Sequence, residues 1–305
     1  MPAADGPTDV PTHRRFSGQR ASGPFGRRHN GRMAAGAAGT GESWASQFDR
    51  RSGATSFDLQ AAEYARLRPG YPSAALDAAV PENAQVVLDL GAGTGKLTGD
   101  LLARGWEVLA VEPLPGMLAE LHRQFPEARA ICGEAENIPL ADSTVDAVVV
   151  GQAFHWFDPD RALSEIVRVL RPGGSLALLW NHDDESDPFV AEIYAAMTDA
   201  GRPPGGATRR FGGATTAGGE AEPPIPPFHG HPALTDPRVV RVGWLRHQSV
   251  DDLIGLVNTY SYVIRASDET RATLAAAIRA IADRRAPGQD LSIPGSCEVW
   301  RSTCR

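Results

Sequence analysis

The sequence predicts an α/β fold, a parallel sheet with helices on both faces. Three observations predict it. Between residues 86 and 180, short apolar runs alternate with segments of helical apolar spacing. Such alternation sets strands side by side with crossover helices between them. The first run, Val86-Val87-Leu88-Asp89-Leu90, passes directly into glycines at 91, 93 and 95. Glycine lets the chain bend sharply there and lets a ligand approach bare backbone. Later, Leu170-Arg171-Pro172-Gly173-Gly174 ends a helical pattern before another apolar run, because glycines stop a helix and proline cannot continue it.

The elements follow in order. Residues 1–47 are rich in Gly, Ala, Pro, Ser and Arg and show no periodicity, so a disordered N-terminal extension is expected, with Met33 as an alternative start. Arg14-Arg15 suggest a twin-arginine signal, but no apolar stretch follows them. Residues 48–305 are expected to form the functional domain. Val86–Leu88 reads as a buried strand and Lys96-Leu97-Thr98 as the start of a helix. Trp106–Val111 is a second strand ending in Glu112, Ala130–Cys132 a third and Thr144–Val150 a fourth. Apolar residues at 162, 163, 166, 167, 169 and 170 mark a helix before the fifth strand, which ends near Trp180.

Three glycine-rich designs compete for the first turn. A Walker phosphate loop needs a glycine where Leu90 stands and a hydroxyl where Leu97 stands. A dinucleotide turn, G-x-G-x-x-G, needs its third glycine where Lys96 stands. The pattern D-x-G-x-G-x-G is filled at every slot by Asp89, Gly91, Gly93 and Gly95, with Ala92 between the first two glycines. It resembles motif I of the class I S-adenosylmethionine (SAM)-dependent methyltransferases.

The downstream chain supports this third design. Glu112, an acid at a strand end, can accept hydrogen bonds from both hydroxyls of a ribose; a solvated loop acid is the alternative. Pro113-Leu114-Pro115-Gly116-Met117-Leu118 looks like the segment flanking adenine in that superfamily, with Met117 equally suited to the core of the next helix. Gly133-Glu134-Ala135-Glu136-Asn137-Ile138-Pro139-Leu140 resembles the stretch whose first acid and following amide meet the adenine edge, which implies Glu134 and Ala135. Gly151-Gln152-Ala153-Phe154-His155-Trp156 leaves the fourth strand and places Gln152 and His155 at its carboxyl end.

Tyr64-Ala65-Arg66-Leu67-Arg68-Pro69-Gly70-Tyr71-Pro72 resembles an opening, Y-x-x-x-R-P-x-Y-P, of the group that includes trans-aconitate methyltransferase. The likeness covers roughly residues 48–302. It implies a Rossmann-like, seven-stranded, mostly parallel sheet with strand seven antiparallel, and C-terminal helical cap or lid elements. It also implies SAM as cofactor, held by Arg68, Asp89, Gly91, Ala92, Gly93, Glu112, Leu114, Met117, Glu134, Ala135 and Gln152. Arg68 would clamp the methionine carboxylate, a task suited to a bidentate guanidinium; a surface arginine is the alternative.

Composition narrows the function. The chain has 305 residues, 42% hydrophobic and 22% charged, ordinary for an enzyme with one sizeable core. Its net charge is −7, which argues against a nucleic-acid surface. Residues 1–48 hold six Arg against three acids, so the remainder stands at −10. Three scattered cysteines form neither a metal pattern nor a disulfide framework, so a reducing cytoplasm is expected. No run approaches 18 apolar residues, so no membrane association is expected. The chain is expected to be a monomer or homodimer.

Residues 201–232 are dense in Gly and Pro and read as a flexible lid or a disordered insertion. Helical spacing surrounds 188–200, 249–262 and 269–281. Strands at 238–246 and 297–301 would form the final hairpin. His182-Asp183-Asp184 reads as a loop after strand five, with a weak metal role conceivable and no metal site required.

The expected reaction is methyl transfer to a small-molecule acceptor, a carboxylate or a natural-product-like group. Two alternatives are a regulatory protein that binds SAM without turnover and a nicotinamide-dependent oxidoreductase. His155 is the candidate base if the acceptor is a hydroxyl, phenol or amine. In the competing reading, His155 and Trp156 are pocket wall. Tyr64 and Tyr71 are read as packing residues over cofactor or substrate.

Overall fold

The computed structural model describes residues 61–202 and 226–305. The N-terminal extension and most of the 201–232 stretch lie outside the described residues. Seven strands form one sheet: β1 (Val86–Leu90), β2 (Glu107–Glu112), β3 (Arg129–Cys132), β4 (Val145–Gly151), β5 (Leu170–Asp183), β6 (Arg238–Gln248) and β7 (Leu291–Thr303). Their spatial order is β3-β2-β1-β4-β5-β7-β6. β1 to β5 pair in parallel, and β7 runs antiparallel to both β5 and β6. β6 therefore points the same way as β1–β5, and its carboxyl end lies at the same edge of the sheet as theirs.

The expected topology and final hairpin are present, but the strands run longer than expected: β5 begins at Leu170, inside the expected Leu170–Gly174 turn, and β6 runs on to Gln248. β5 does not end near Trp180 but continues to Asp183, because Asn181, His182 and Asp183 pair with Cys297, Ser296 and Gly295. β7 likewise begins at Leu291. The two strands lengthen each other, since a backbone N–H beside an antiparallel neighbour finds its acceptor there.

Alternation divides the strands' apolar residues between two faces. Leu88, Leu90, Val148 and Val150 pack with Phe154, Leu163 and Ile166 on one face. Val87, Val149, Ala177 and Leu179 pack with Leu76, Leu97 and Leu101 on the other. The first face takes α5 (Pro159–Val169). The second takes α2 (Ser73–Ala79) and α3 (Lys96–Leu102). Asp158 starts α5 by accepting from the Arg161 N–H at 3.2 Å, with Pro159 in the first turn. Before β1, α1 spans Ala61–Leu67, and between β2 and β3 lies α4 (Pro115–Gln124).

A third apolar cluster belongs to the C-terminal helices. Phe189 and Ile193 of α6 (Pro188–Asp199), Leu253 and Val257 of α7 (Val250–Asn258), and Ile278 of α9 (Asp268–Arg285) pack around Ile293 of β7. A short helix, α8 (Ser261–Ile264), joins α7 to α9. Within 226–232 the chain forms turns that bury Phe228 in the first core.

Candidate active site

The site is built on the turn after β1. Gly91, Gly93 and Gly95 have φ of +73°, +58° and +90°, a region where an L side chain is strained. The Gly91 and Ala92 N–H groups both donate to Val111 O, at 2.9 and 3.1 Å, which fixes the turn against β2. A Cβ at Gly91 would stand 2.8 Å from Ala153 Cβ, and one at Gly95 would stand 2.9 Å from Leu121 and Phe125. At Gly93 the nearest neighbour of such a Cβ would be Met117 Sδ at 3.8 Å, so this is the open side of the turn.

Glu112 joins that turn to the loop after β2. Its Oε2 accepts from the Gly93 N–H at 2.8 Å and its Oε1 from the Leu114 N–H at 3.0 Å. The carboxylate is buried yet held at a strand's carboxyl end. Met117 is buried at the start of α4 beside the same turn. Ala135 is buried and Glu134 exposed, in a tight turn closed by the Asn137 N–H donating to Glu134 O. Gly91, Ala92, Gly93, Glu112, Leu114 and Met117 thus form one contiguous set.

Asp89 lies beneath the turn and is 1% exposed. Its Oδ2 accepts from Thr98 Oγ1 at 2.7 Å. Burial pushes the Asp89 carboxyl up to about 7, and the nearby Glu112 and Asp100 carboxylates add to the rise. This geometry makes Asp89 a brace between β1 and α3.

At the end of β4 the chain folds back over itself. Gln152 has φ +57°, and its N–H donates to Leu179 O at 3.0 Å. Its side-chain Nε2 donates to Asn181 O at 3.0 Å, and Asn181 Nδ2 donates to Gly70 O at 3.0 Å. The Tyr71 N–H donates to Asp100 Oδ2 at 2.8 Å. A Cβ at Gly151 would clash with the Tyr71 hydroxyl at 2.3 Å, so Tyr71 lies directly over the end of β4. Residues 70–71 are thereby tied across the ends of β4 and β5. Sequence reasoning did not single out Asn181 or Asp100, because a lone polar residue carries no motif.

Arg68 is held by the C-terminal helices. Its Nη2 donates to Thr259 O at 3.5 Å, and its guanidinium lies 4.7 Å from the Tyr260 ring centroid. Asp183, read as a loop residue, closes β5 and accepts from Arg246 Nη2 and from the Tyr194 hydroxyl. Those donors give it a charge-paired anchoring role. Among the described residues, no three His, Cys, Asp or Glu side chains gather in a metal-ligand group.

His155 sits in a single 3-10 turn, Phe154–Trp156. Its ring centroid lies 4.7 Å from Trp156 and 5.7 Å from Trp180. Trp180 is buried, whereas Trp156 is 45% exposed. The imidazole is thus one panel of an aromatic wall beyond β4.

Comparison with known proteins agrees with this geometry. A family model described as a methyltransferase domain matches residues 88–178, from β1 through the middle of β5. An uncharacterized methyltransferase of Mycobacterium tuberculosis is 50% identical over 154 residues, which are 50% of this chain and 63% of the relative. The chain therefore spans less than two thirds of that relative's length. An uncharacterized methyltransferase-like protein of Schizosaccharomyces pombe is 32% identical over 231 residues, covering 74% of this chain and 85% of its own length. A solved structure of a proposed type II methyltransferase from Anaeromyxobacter dehalogenans superposes with a TM-score of 0.55 at 26% identity, covering 77% of this chain and 97% of that one. Among the described residues, no helix is long and apolar enough to cross a membrane. By these matches the chain belongs to the class I SAM-dependent methyltransferases.

Proposed function

We propose that this chain transfers the methyl group of SAM to a carboxylate-bearing small molecule, as a member of the trans-aconitate methyltransferase-like group. The observation that carries the reading is the Glu112 carboxylate, oriented by the Gly93 and Leu114 N–H groups at 2.8 and 3.0 Å beside the open side of the glycine turn.

When bound, SAM supplies an activated methyl group on a positive sulfur. The protein's own task is to hold the two reactants in line and keep water away. In this assignment Glu112 accepts from the ribose hydroxyls. Gly91, Ala92 and Gly93 give the backbone approach, and Leu114 and Met117 flank the base. Glu134 and Ala135 meet its polar edge. Gln152 shapes the β4 end, and Asp89 supports the turn from below. Tyr71 and the His155, Trp156 and Trp180 rings wall the reacting end. A carboxylate arrives ionised at neutral pH, so no side chain must remove a proton. His155 then acts by packing.

Thermal-shift measurements with SAM, S-adenosylhomocysteine, NAD and ATP test the cofactor. A ligand at 100 times its dissociation constant adds about 2.7 kcal/mol of stability. The two sulfur nucleosides should stabilise the protein, and NAD and ATP should not. Release of S-adenosylhomocysteine with a panel of carboxylic, hydroxylic and amine acceptors then tests turnover. Stabilisation by SAM with no release from any acceptor would favour a binding protein instead.

A further inference from the structure

A second concavity opens beside the site, at the carboxyl end of β6. It is a cleft of ≈ 360 Å³ lined by Arg66, Arg68, Trp244, Arg246, His247 and Gln248, with Asp252 at its rim. One partition separates it from the cofactor crevice, the 68–71 segment. Gly70 is tied to the end of β5 through Asn181 and Tyr71 to α3 through Asp100, while Arg68 and Gly70 line the cleft. Because β6 is parallel to β5, the cleft opens at the ligand edge of the sheet.

The lining is rich in donors. Three arginines line it and two acids pair with them, Asp252 with the exposed Arg66 and Asp183 with Arg246, which leaves one positive charge in excess. Arg246 is 8% exposed and is fixed by Asp183 at 2.5 Å, with a long contact from Nη1 to Gln248 Oε1 at 3.4 Å. Gln248 Nε2 and Trp244 Nε1 are buried and have no hydrogen-bond partner among the described residues. An unmet buried N–H is costly, and the complement of a wall with surplus N–H groups and positive charge is an acceptor-only anion. Arginine presents a planar fork that matches carboxylate and phosphate oxygens.

We propose that this cleft binds an anionic oxygen group, carboxylate or phosphate, of a small molecule. Under the transferase reading, on which this last step rests, that group is the part of the acceptor remote from the methylated atom. Arg66, Arg68 and Arg246 supply the charge, and Gln248 supplies an amide donor. The cleft would then set which acceptors dock beside the cofactor by their charge, and Arg68 would serve the acceptor in place of the methionine-carboxylate clamp that the family resemblance implies for it.

Calorimetry of the full chain with inorganic phosphate and with succinate tests this, alongside SAM as a separate titrant. The wild type should bind at least one of the two anions, and which one binds identifies the oxygen group. Arg66→Glu, at an exposed position, and Gln248→Glu, which conserves shape, should each weaken that binding at least tenfold while SAM affinity stays unchanged. Failure of the wild type to bind either anion, or unaltered anion binding in both variants, would overturn the cleft's assignment and leave the transferase reading intact. Anion binding lost in the variants together with no SAM binding in the wild type would support the cleft and overturn the transferase reading.

Discussion

The backbone N–H of Gly93 donates to Glu112 Oε2 at 2.8 Å, so the glycine turn after β1 and the acid that ends β2 form a single unit. Glu112 closes the unit on its other side by accepting from the Leu114 N–H at 3.0 Å. One carboxylate thus sets the spacing between the turn that approaches the cofactor and the segment that flanks it. Preorganisation of this kind spares the ligand the cost of ordering the loop itself.

Glu112→Ala should therefore weaken SAM binding by more than the loss of one contact. A hydrogen bond to a charged acceptor contributes about 1.5–3 kcal/mol, and about 1.4 kcal/mol is tenfold in affinity. The expected result by calorimetry is at least a tenfold rise in Kd, with the unfolding transition still cooperative. A Kd equal to wild type would remove Glu112 from the ribose.

Asp89 gives the stability a pH dependence of defined sign. Its ordinary value is 3.8, and burial raises it to about 7 in the folded protein. Between roughly pH 4 and 7 the folded state keeps a proton that the unfolded chain has released. Stability from this group is therefore full at low pH and falls as pH rises through that window. Asp89→Asn keeps the shape without the titration. Urea midpoints of the two proteins should diverge in favour of the variant as pH rises from 5 to 7.5, then run parallel. A constant difference across that range would show that Asp89 is not protonated in the folded state.

The parallel half of the fold was legible because its signals are local. Runs such as Val86–Leu90 and Val145–Val150 are apolar but for Asp89 and Asp146, and the glycines at 91, 93 and 95 each occupy a left-handed position that other residues avoid. Glu112 was legible from its place at a strand end. The length of β5 was not, because Asn181-His182-Asp183 has no strand propensity of its own and is held by pairing with Ser296 and Gly295, more than a hundred residues away in sequence. The same holds for the cleft at β6. Arg66, Arg246 and Gln248 are brought together only by the return of β6 to the sheet edge. Arg68 stands out in the sequence as part of the Y-x-x-x-R-P-x-Y-P opening, but its contacts with Thr259 and Tyr260 come from helices that no motif marks.

Asp183 tests how much that remote pairing stabilises. Arg246 is buried and relies on the Asp183 carboxylate, which also accepts from Tyr194. Removing one partner of a buried ion pair strands the other and costs about 3–5 kcal/mol. Asp183→Ala should lower the urea unfolding free energy by that order while SAM affinity stays within twofold, since neither Gly93 nor Glu112 touches the pair. A change under about 1 kcal/mol would mean that Arg246 is solvated and the pair weak.

His155 separates two mechanisms at one position. The structure sets its ring 4.7 Å from Trp156 and 5.7 Å from Trp180, and that setting suits a wall. If the acceptor is a carboxylate, it arrives ionised, and His155→Ala should mainly raise the acceptor's KM with kcat within about tenfold. The wild-type rate should then be flat above pH 5. If His155 were a general base, the same change should cut kcat by roughly 10²–10⁴-fold, and the wild-type rate should climb through the imidazole range. SAM affinity should be unaffected either way, because His155 is not among the residues assigned to the cofactor. The expected outcome is the first. A steep loss of kcat with normal acceptor binding would defeat it and move the methylated atom from a carboxylate to a hydroxyl, phenol or amine.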